Sequence, residues 1–119
     1  MLDVVVDARE HAAVVRLIGD VDLATPAGTW RELRATLESA EPAVVLDLAE
    51  VAFTDVAAVR RLLAQLEWCR RRVPVALAGA SPLVHWVVQM LGEPDPLPMA
   101  ASVEEALAQV AAVLRARSC

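Results

Sequence analysis

The chain predicts an α/β fold: a mixed β-sheet of four to five strands with about four packed helices. Three observations carry this. Short β-branched runs alternate with segments of helical period along most of the 119 residues. The run Ala43-Val44-Val45-Leu46-Asp47-Leu48 has almost no polar alternation, as expected of a strand buried on both faces. After a short turn over Ala49 to Phe53, Asp55 stands at the head of a long helical pattern, where its carboxylate can accept a backbone N–H of the first turn. Strands interleaved with helices imply a partly parallel sheet. The strand–turn–helix junction at Asp55 is the usual position of a binding surface in such a fold.

In chain order, Leu2 to Val6 and Ala12 to Ile18 read as two strands joined by the polar loop Asp7-Ala8-Arg9-Glu10-His11. Gly19 ends the second strand, and Asp20-Val21-Asp22-Leu23 leads outward to Thr25-Pro26, read as an N-cap followed by proline at the first helical position. Trp30, Leu33 and Leu37 share one face of that helix, and Glu41-Pro42 stops it. The helix from Val56 to about Arg72 turns Val59, Leu62, Leu63, Leu66 and Cys69 inward, with Arg70, Arg71 and Arg72 at the negative end of its dipole. Val75 to Ala78 is a further strand. Ser81-Pro82 opens a third helix whose inner stripe is read as Leu83, Val87, Met90 and Leu91, with Trp86 and Trp30 assigned to the core. Glu93 to Pro98 holds three prolines and must be a loop before a short strand at Met99-Ala100. Ser102-Val103-Glu104-Glu105 is a capping box, and Val103, Leu107, Val110 and Leu114 line the last helix.

Composition bounds the function. The chain is 57% hydrophobic but 3% aromatic, so the core is built from Val, Leu and Ala within one domain spanning residues 1–119. Net charge is −5, which argues against nonspecific nucleic-acid binding and against an anionic membrane surface. All eleven basic residues are Arg. Two cysteines, Cys69 and Cys119, make no disulfide framework, and neither a leader nor a membrane-spanning run is read, so a soluble cytoplasmic protein is expected.

Counting removes most chemistries. Walker A loops and receiver-type phosphoacceptor sites need a lysine, and there is none. The four glycines cannot form a dinucleotide fingerprint. The two His and two Cys lack metal-ligand spacing, and no serine sits in a nucleophile elbow. His11 and His85 read as solvated. Asp20 and Asp22 fit a solvated turn better than a paired-carboxylate site. The expectation is a chain with no catalytic residue, metal or cofactor.

Several segments are similar to one family. Val14-Val15-Arg16-Leu17-Ile18-Gly19-Asp20-Val21-Asp22-Leu23-Ala24-Thr25 resembles the "strand, G-E-(L/I/V)-D, helix" opening of STAS domains, which include anti-sigma-factor antagonists. Val44-Val45-Leu46-Asp47-Leu48 with Val51-Ala52-Phe53-Thr54-Asp55 resembles their second signature, "V-V-L-D-L-(3)-V-x-F-(I/M)-D-S-S-G-L". Ala80-Ser81-Pro82, Leu97 and Ser102-Val103-Glu104-Glu105-Ala106-Leu107 match the family's tail in order and spacing. The resemblance implies a regulatory binding module. The family's bacterial antagonists bind an anti-sigma factor that is also a serine kinase, and phosphorylation of the second serine of D-S-S-G ends that binding. A phosphate adds about −1.5 to −2 charge at a spot that must be desolvated in the complex.

The chain departs from the motif at that place. D-S-S-G-L is replaced by Asp55-Val56-Ala57-Ala58-Val59, so the phosphosite maps to Ala57, which has no hydroxyl. Thr54 is the nearest remaining hydroxyl and the alternative phosphosite, a minor one, because it precedes the cap and is expected to point into the strand's surroundings. The resemblance then implies either constitutive partner binding or service as a structural subunit. Ala57, Arg61, Ala64 and Trp68 recur along the outer face of the helix, and this stripe reads either as a docking surface or as Trp68 packed under a neighbouring helix. The expected contact surface is Asp22, Thr25, Thr54, Asp55, Val56, Ala57, Ala58, Arg61 and Trp68. Candidate partners are an anti-sigma factor or serine kinase-like protein, the ATPase of a lipid-transport ABC system, or a second copy of the chain in a homodimer. Nucleic acid and direct membrane insertion are not expected. A small-ligand or nucleotide-binding module is the remaining alternative, which a deep apolar pocket beside Asp55 would favour.

Overall fold

The structure, a computed structural model, describes residues 2–118; Cys119 therefore lies outside the described residues. The elements run β1 (Leu2–Ala8), β2 (Ala13–Val21), α1 (Ala27–Ser39), β3 (Val44–Phe53), α2 (Val56–Arg70), β4 (Val75–Ala78), α3 (Pro82–Leu91), β5 (Met99–Ala100) and α4 (Val103–Arg117). The sheet has five strands in the order β1-β2-β3-β4-β5. The β1–β2 hairpin is antiparallel, and every later pairing is parallel. This is the mixed α/β sheet that the alternation of strand and helix patterns implies.

Residues of β3 alternate between two cores. Val44, Leu46 and Leu48 enter the larger cluster with Leu17, Trp30, Leu33, Leu37, Val59, Leu62, Leu66, Val84 and Val87, so α1, α2 and α3 cover that face. Val45 points the other way and meets Val14, Ala76, Ala78, Ala106 and Val110 beneath α4. Asp47, two residues further along, shares the α4 side and is only 7% exposed. Its carboxylate lies 3.4 Å from Arg16 Nε and accepts the Ala49 N–H at 3.1 Å, which offsets the cost of removing the charge from water.

The sequence reading of a turn after Leu48 is corrected. β3 continues to Phe53 and pairs with β2 out to Val21↔Phe53, after a register shift between Arg16 and Ile18. The four-residue β4 ends opposite Asp47, but β2 runs on, so the backbone beyond Leu48 still finds a ladder partner. A second correction concerns α3. Val84 and Val87 are its buried residues, whereas Trp86 (52% exposed), Met90 and Leu91 face outward. The helix Pro-Leu-Val-His-Trp-Val-Val-Gln-Met-Leu is apolar on nearly every side, so periodicity did not fix its rotation. Trp30 is in the core as expected.

Among the described residues, side chains cap two of the four helices. Asp55 caps α2, and Ser102 Oγ accepts the Glu105 N–H at 3.2 Å. The Glu105 carboxylate reaches back to the Ala101 N–H rather than to that of Ser102. Ser81 holds the N-cap position of α3 without a side-chain cap bond. Thr25 does not cap α1: Pro26 is the cap residue, and its carbonyl accepts the N–H groups of Thr29 and Trp30. Arg72 lies beyond the last turn of α2 and donates instead to the Leu37 and Ala40 carbonyls at the end of α1, tying the two helix termini together. Along α4, Ala106 and Val110 are fully buried, with Val103, Leu107 and Leu114 packed half-buried beside them.

Gly79 ends β4 with φ +67°, and a Cβ there would come within 3.2 Å of Ala49 Cβ. Gly79→Ala is expected to lower the urea unfolding free energy by about 1–3 kcal/mol with an unchanged m-value. Burial raises the Cys69 thiol pKa, partly opposed by Arg72, so the thiolate is scarce near neutral pH. In a Cys119→Ser variant, a thiol reagent should label Cys69 only as fast as the protein unfolds.

Candidate functional site

The parallel ends of β2 and β3 bring the β2–α1 loop beside the start of α2, and Asp55 joins them. One carboxylate oxygen accepts the Ala58 N–H at 2.7 Å, capping α2, and the other accepts the Leu23 N–H at 3.1 Å. Asp22 and Thr25 shape the same loop. Asp22 Oδ1 accepts the Ala24 N–H at 2.8 Å, and Thr25 Oγ1 accepts the Asp22 N–H at 3.0 Å. Thr54 extends the strand ladder through its N–H to the Val21 carbonyl at 3.2 Å, while its hydroxyl donates weakly to the same carbonyl at 3.5 Å. Asp22, Thr25, Thr54 and Asp55 thus form one hydrogen-bonded edge, although 33 residues separate Asp22 from Asp55.

Within the first turn of α2, Ala57 is exposed and Val56 half-buried. Ala58 is corrected: it is 2% exposed, on the core side of the helix, and offers no side chain to a partner. Further along, Arg61 and Trp68 both face α1. The Arg61 guanidinium lies 4.7 Å above the Trp30 ring, and Arg34 of α1 lies 4.6 Å from the Trp68 ring. Trp68 is half-buried and packs against the main core. The two cation–π contacts run in opposite directions across one helix seam, so α1 contributes Trp30 and Arg34 to a face that the period of α2 alone could not reveal. Gln65 adds a bond from its amide to the Trp30 carbonyl at 3.3 Å.

An open cleft of about 480 Å³ lies on the β2–α1 side, lined by Leu2, Asp20, Asp22, Ala24, Thr25, Pro26 and Thr29. Its walls carry two carboxylates and two hydroxyls, and Asp55 is not among them. Among the described residues no group of three or more His, Cys, Asp and Glu is placed to hold a metal ion, and no helix is long and apolar enough to cross a membrane.

A five-stranded mixed sheet with its loop edge gathered around a helix-capping aspartate defines a STAS-type module. The family model described as "Mlab, STAS domain" matches residues 4–95, and the chain belongs to the STAS family. Among solved structures, an anti-sigma factor antagonist from Mycobacterium paratuberculosis is similar at 21% identity, covering 92% of this chain and 94% of that one, with a TM-score of 0.76. The Bacillus cell fate determinant SpoIIAA in its phosphorylated form is similar at 22% identity over 92% of this chain and 99% of that one, TM-score 0.63. The SulP transporter STAS domain from Vibrio cholerae is similar at 19% identity over 86% and 85%, TM-score 0.51. At these identities the likeness is one of fold. No curated protein matches the chain.

Asp55→Ala removes both carboxylate bonds and is expected to cost about 1–2 kcal/mol. Amide exchange should accelerate at Leu23 as well as at Ala58. Protection retained at Leu23 would mean that the β2–α1 loop is held by something other than Asp55.

Proposed function

We propose that this chain is a non-catalytic, cytoplasmic protein-binding module whose partner docks constitutively on the edge formed by Asp22, Thr25, Thr54 and Asp55 and on the exposed start of α2. The observation that supports it most is Ala57. It stands exposed in the first turn of α2, where the family motif places its phosphorylatable serine, and it carries no hydroxyl. A switch that works by placing phosphate there has nothing to act on. Thr54 is no substitute, because it precedes the cap and its phosphate would lie outside the first turn. The partner class that the fold suggests first is an anti-sigma factor of the serine-kinase type, bound without release.

A second reading has its own support. The matching family model carries the description "Mlab, STAS domain", and the motif serines are replaced by Val56 and Ala57. Both fit a permanent subunit docked on the ATPase of a lipid-transport ABC system.

Ala57→Glu tests the docking surface. A carboxylate at the second helical position is favourable to the dipole, so the fold should persist. In pull-downs from the native lysate, wild type is expected to retain its partner and Ala57→Glu to lose it by tenfold or more, about 1.4 kcal/mol. Recovery of a kinase-type anti-sigma factor supports the first reading and recovery of a transporter ATPase the second. Equal capture by both forms, or sedimentation of wild type as a homodimer through this face, would remove the proposed surface from partner binding.

A further inference from the structure

We propose that the outer face of α1 and α2 is an electropositive dock for a carboxylate-rich segment of the partner protein; the inference rests on the reading of the α2 start as the docking surface and names what that surface recognises. The chain as a whole carries net charge −5. On this face, however, Arg31, Arg60 and Arg61 are exposed, and none of them has a carboxylate within ion-pair distance among the described residues. Arg9, Arg16, Arg34 and Arg70 each have an acidic partner; Arg71 and Arg117, at the ends of α2 and α4, have none among the described residues either, so what sets this face apart is the company Arg61 keeps. Arg60 and Arg61 are consecutive on α2 and Arg31 follows Trp30 on α1, so three exposed guanidiniums without an ion pair lie on the two helices that the Arg61–Trp30 contact joins.

Arg61 is also preorganised. Its guanidinium lies over the Trp30 ring, which is itself 4% exposed and fixed in the core. The contact holds the guanidinium at the ring, and none of its N–H donors makes a hydrogen bond among the described residues, so they remain for a carboxylate, which guanidinium can bind in bidentate fashion. A long side chain already held against a platform loses less freedom on binding. Ala57 and Ala64, four residues before and three after Arg61 on α2, are exposed small residues that leave room beside the guanidinium.

The spacing gives a reason for the effect expected of Ala57→Glu. Arg60 and Arg61 lie three and four residues after Ala57, on the same helix surface. A negative group at 57 would pair with both and cancel the charge offered to the partner, in addition to repelling the partner's carboxylates. A nucleic acid is the poorer occupant: the surrounding chain is acidic, and three guanidiniums form no track for a phosphate backbone.

The test uses the full chain, labelled with nitrogen-15, and a synthetic helical peptide with glutamates along one face. Addition of the peptide should shift the side-chain N–H signals of Arg31, Arg60 and Arg61 and the backbone amides of 57–64, with binding that weakens as salt is raised. Arg60→Gln/Arg61→Gln is expected to weaken peptide binding about tenfold, and Arg61→Lys to fall between that double variant and wild type, because it keeps the charge and loses the planar, forked donor group. Equal binding of the glutamine version of the peptide, shifts confined to another face, or tighter binding of a single-stranded DNA oligonucleotide would each overturn the proposal. Capture of the natural partner separates the two layers of inference. Loss with Ala57→Glu but not with Arg60→Gln/Arg61→Gln sinks the arginine dock and leaves the docking surface standing. Retention by both variants sinks both, and loss with both supports both. Loss with the arginine variant alone would contradict the coupling of position 57 to Arg60 and Arg61 and so overturn the proposal as argued, along with the α2 start as the docking surface. Unchanged thermal melts of the variants exclude unfolding as the cause.

Discussion

Everything in this fold depends on one strand being buried from both sides. β3 supplies apolar side chains to two separate clusters, and so it must have helices on both faces and strands along both edges over residues Val44 to Asp47. Each fully buried Val or Leu there contributes roughly 1.5–3 kcal/mol. That demand accounts for the layers: three helices over the larger cluster and one over the smaller. Asp47 is the exception in the run, and its pairing with Arg16 on the neighbouring strand shows the condition under which a carboxylate is tolerated at such a position.

The candidate edge follows from where that support ends. β4 stops opposite Asp47, while β2 and β3 continue together to Val21 and Phe53. The two strands therefore carry their following segments to one place, and a single side chain, Asp55, fastens the loop after β2 to the helix after β3. An α-helix N-terminus held by its own cap presents a fixed backbone geometry to a partner and needs little ordering on binding. In this chain the first turn that Asp55 caps carries Val56 and Ala57, so it presents a fixed backbone and no hydroxyl.

Charge is distributed with the same economy. The guanidiniums of Arg34 and Arg61 lie against Trp68 and Trp30 across the α1–α2 seam, in a protein with few aromatic residues to spend. A cation–π contact contributes about 0.5–1 kcal/mol at exposed sites, a modest gain in stability. The larger consequence is positional, since the contacts hold two long side chains in place along the α1–α2 seam, Arg61 one turn from Ala57 and Arg34 near the other end of α2.

The sequence by itself determined the fold class, nearly all of the strands and helices, the cap at Asp55 and the absence of a hydroxyl at residue 57. These are local properties: side-chain period, a carboxylate at a helix start, the chemistry of one residue. Tertiary structure alone decided the length of β3, because only the neighbouring β2 shows that the backbone past Leu48 has a partner. It decided the rotation of α3, whose composition is apolar on most sides and so compatible with several. It also decided which residues meet at the candidate site. Asp55 reaching Leu23, Arg61 over Trp30 and Arg34 over Trp68 are contacts between elements distant in sequence. Periodicity reports the face of one helix and carries no information about what another element places opposite it.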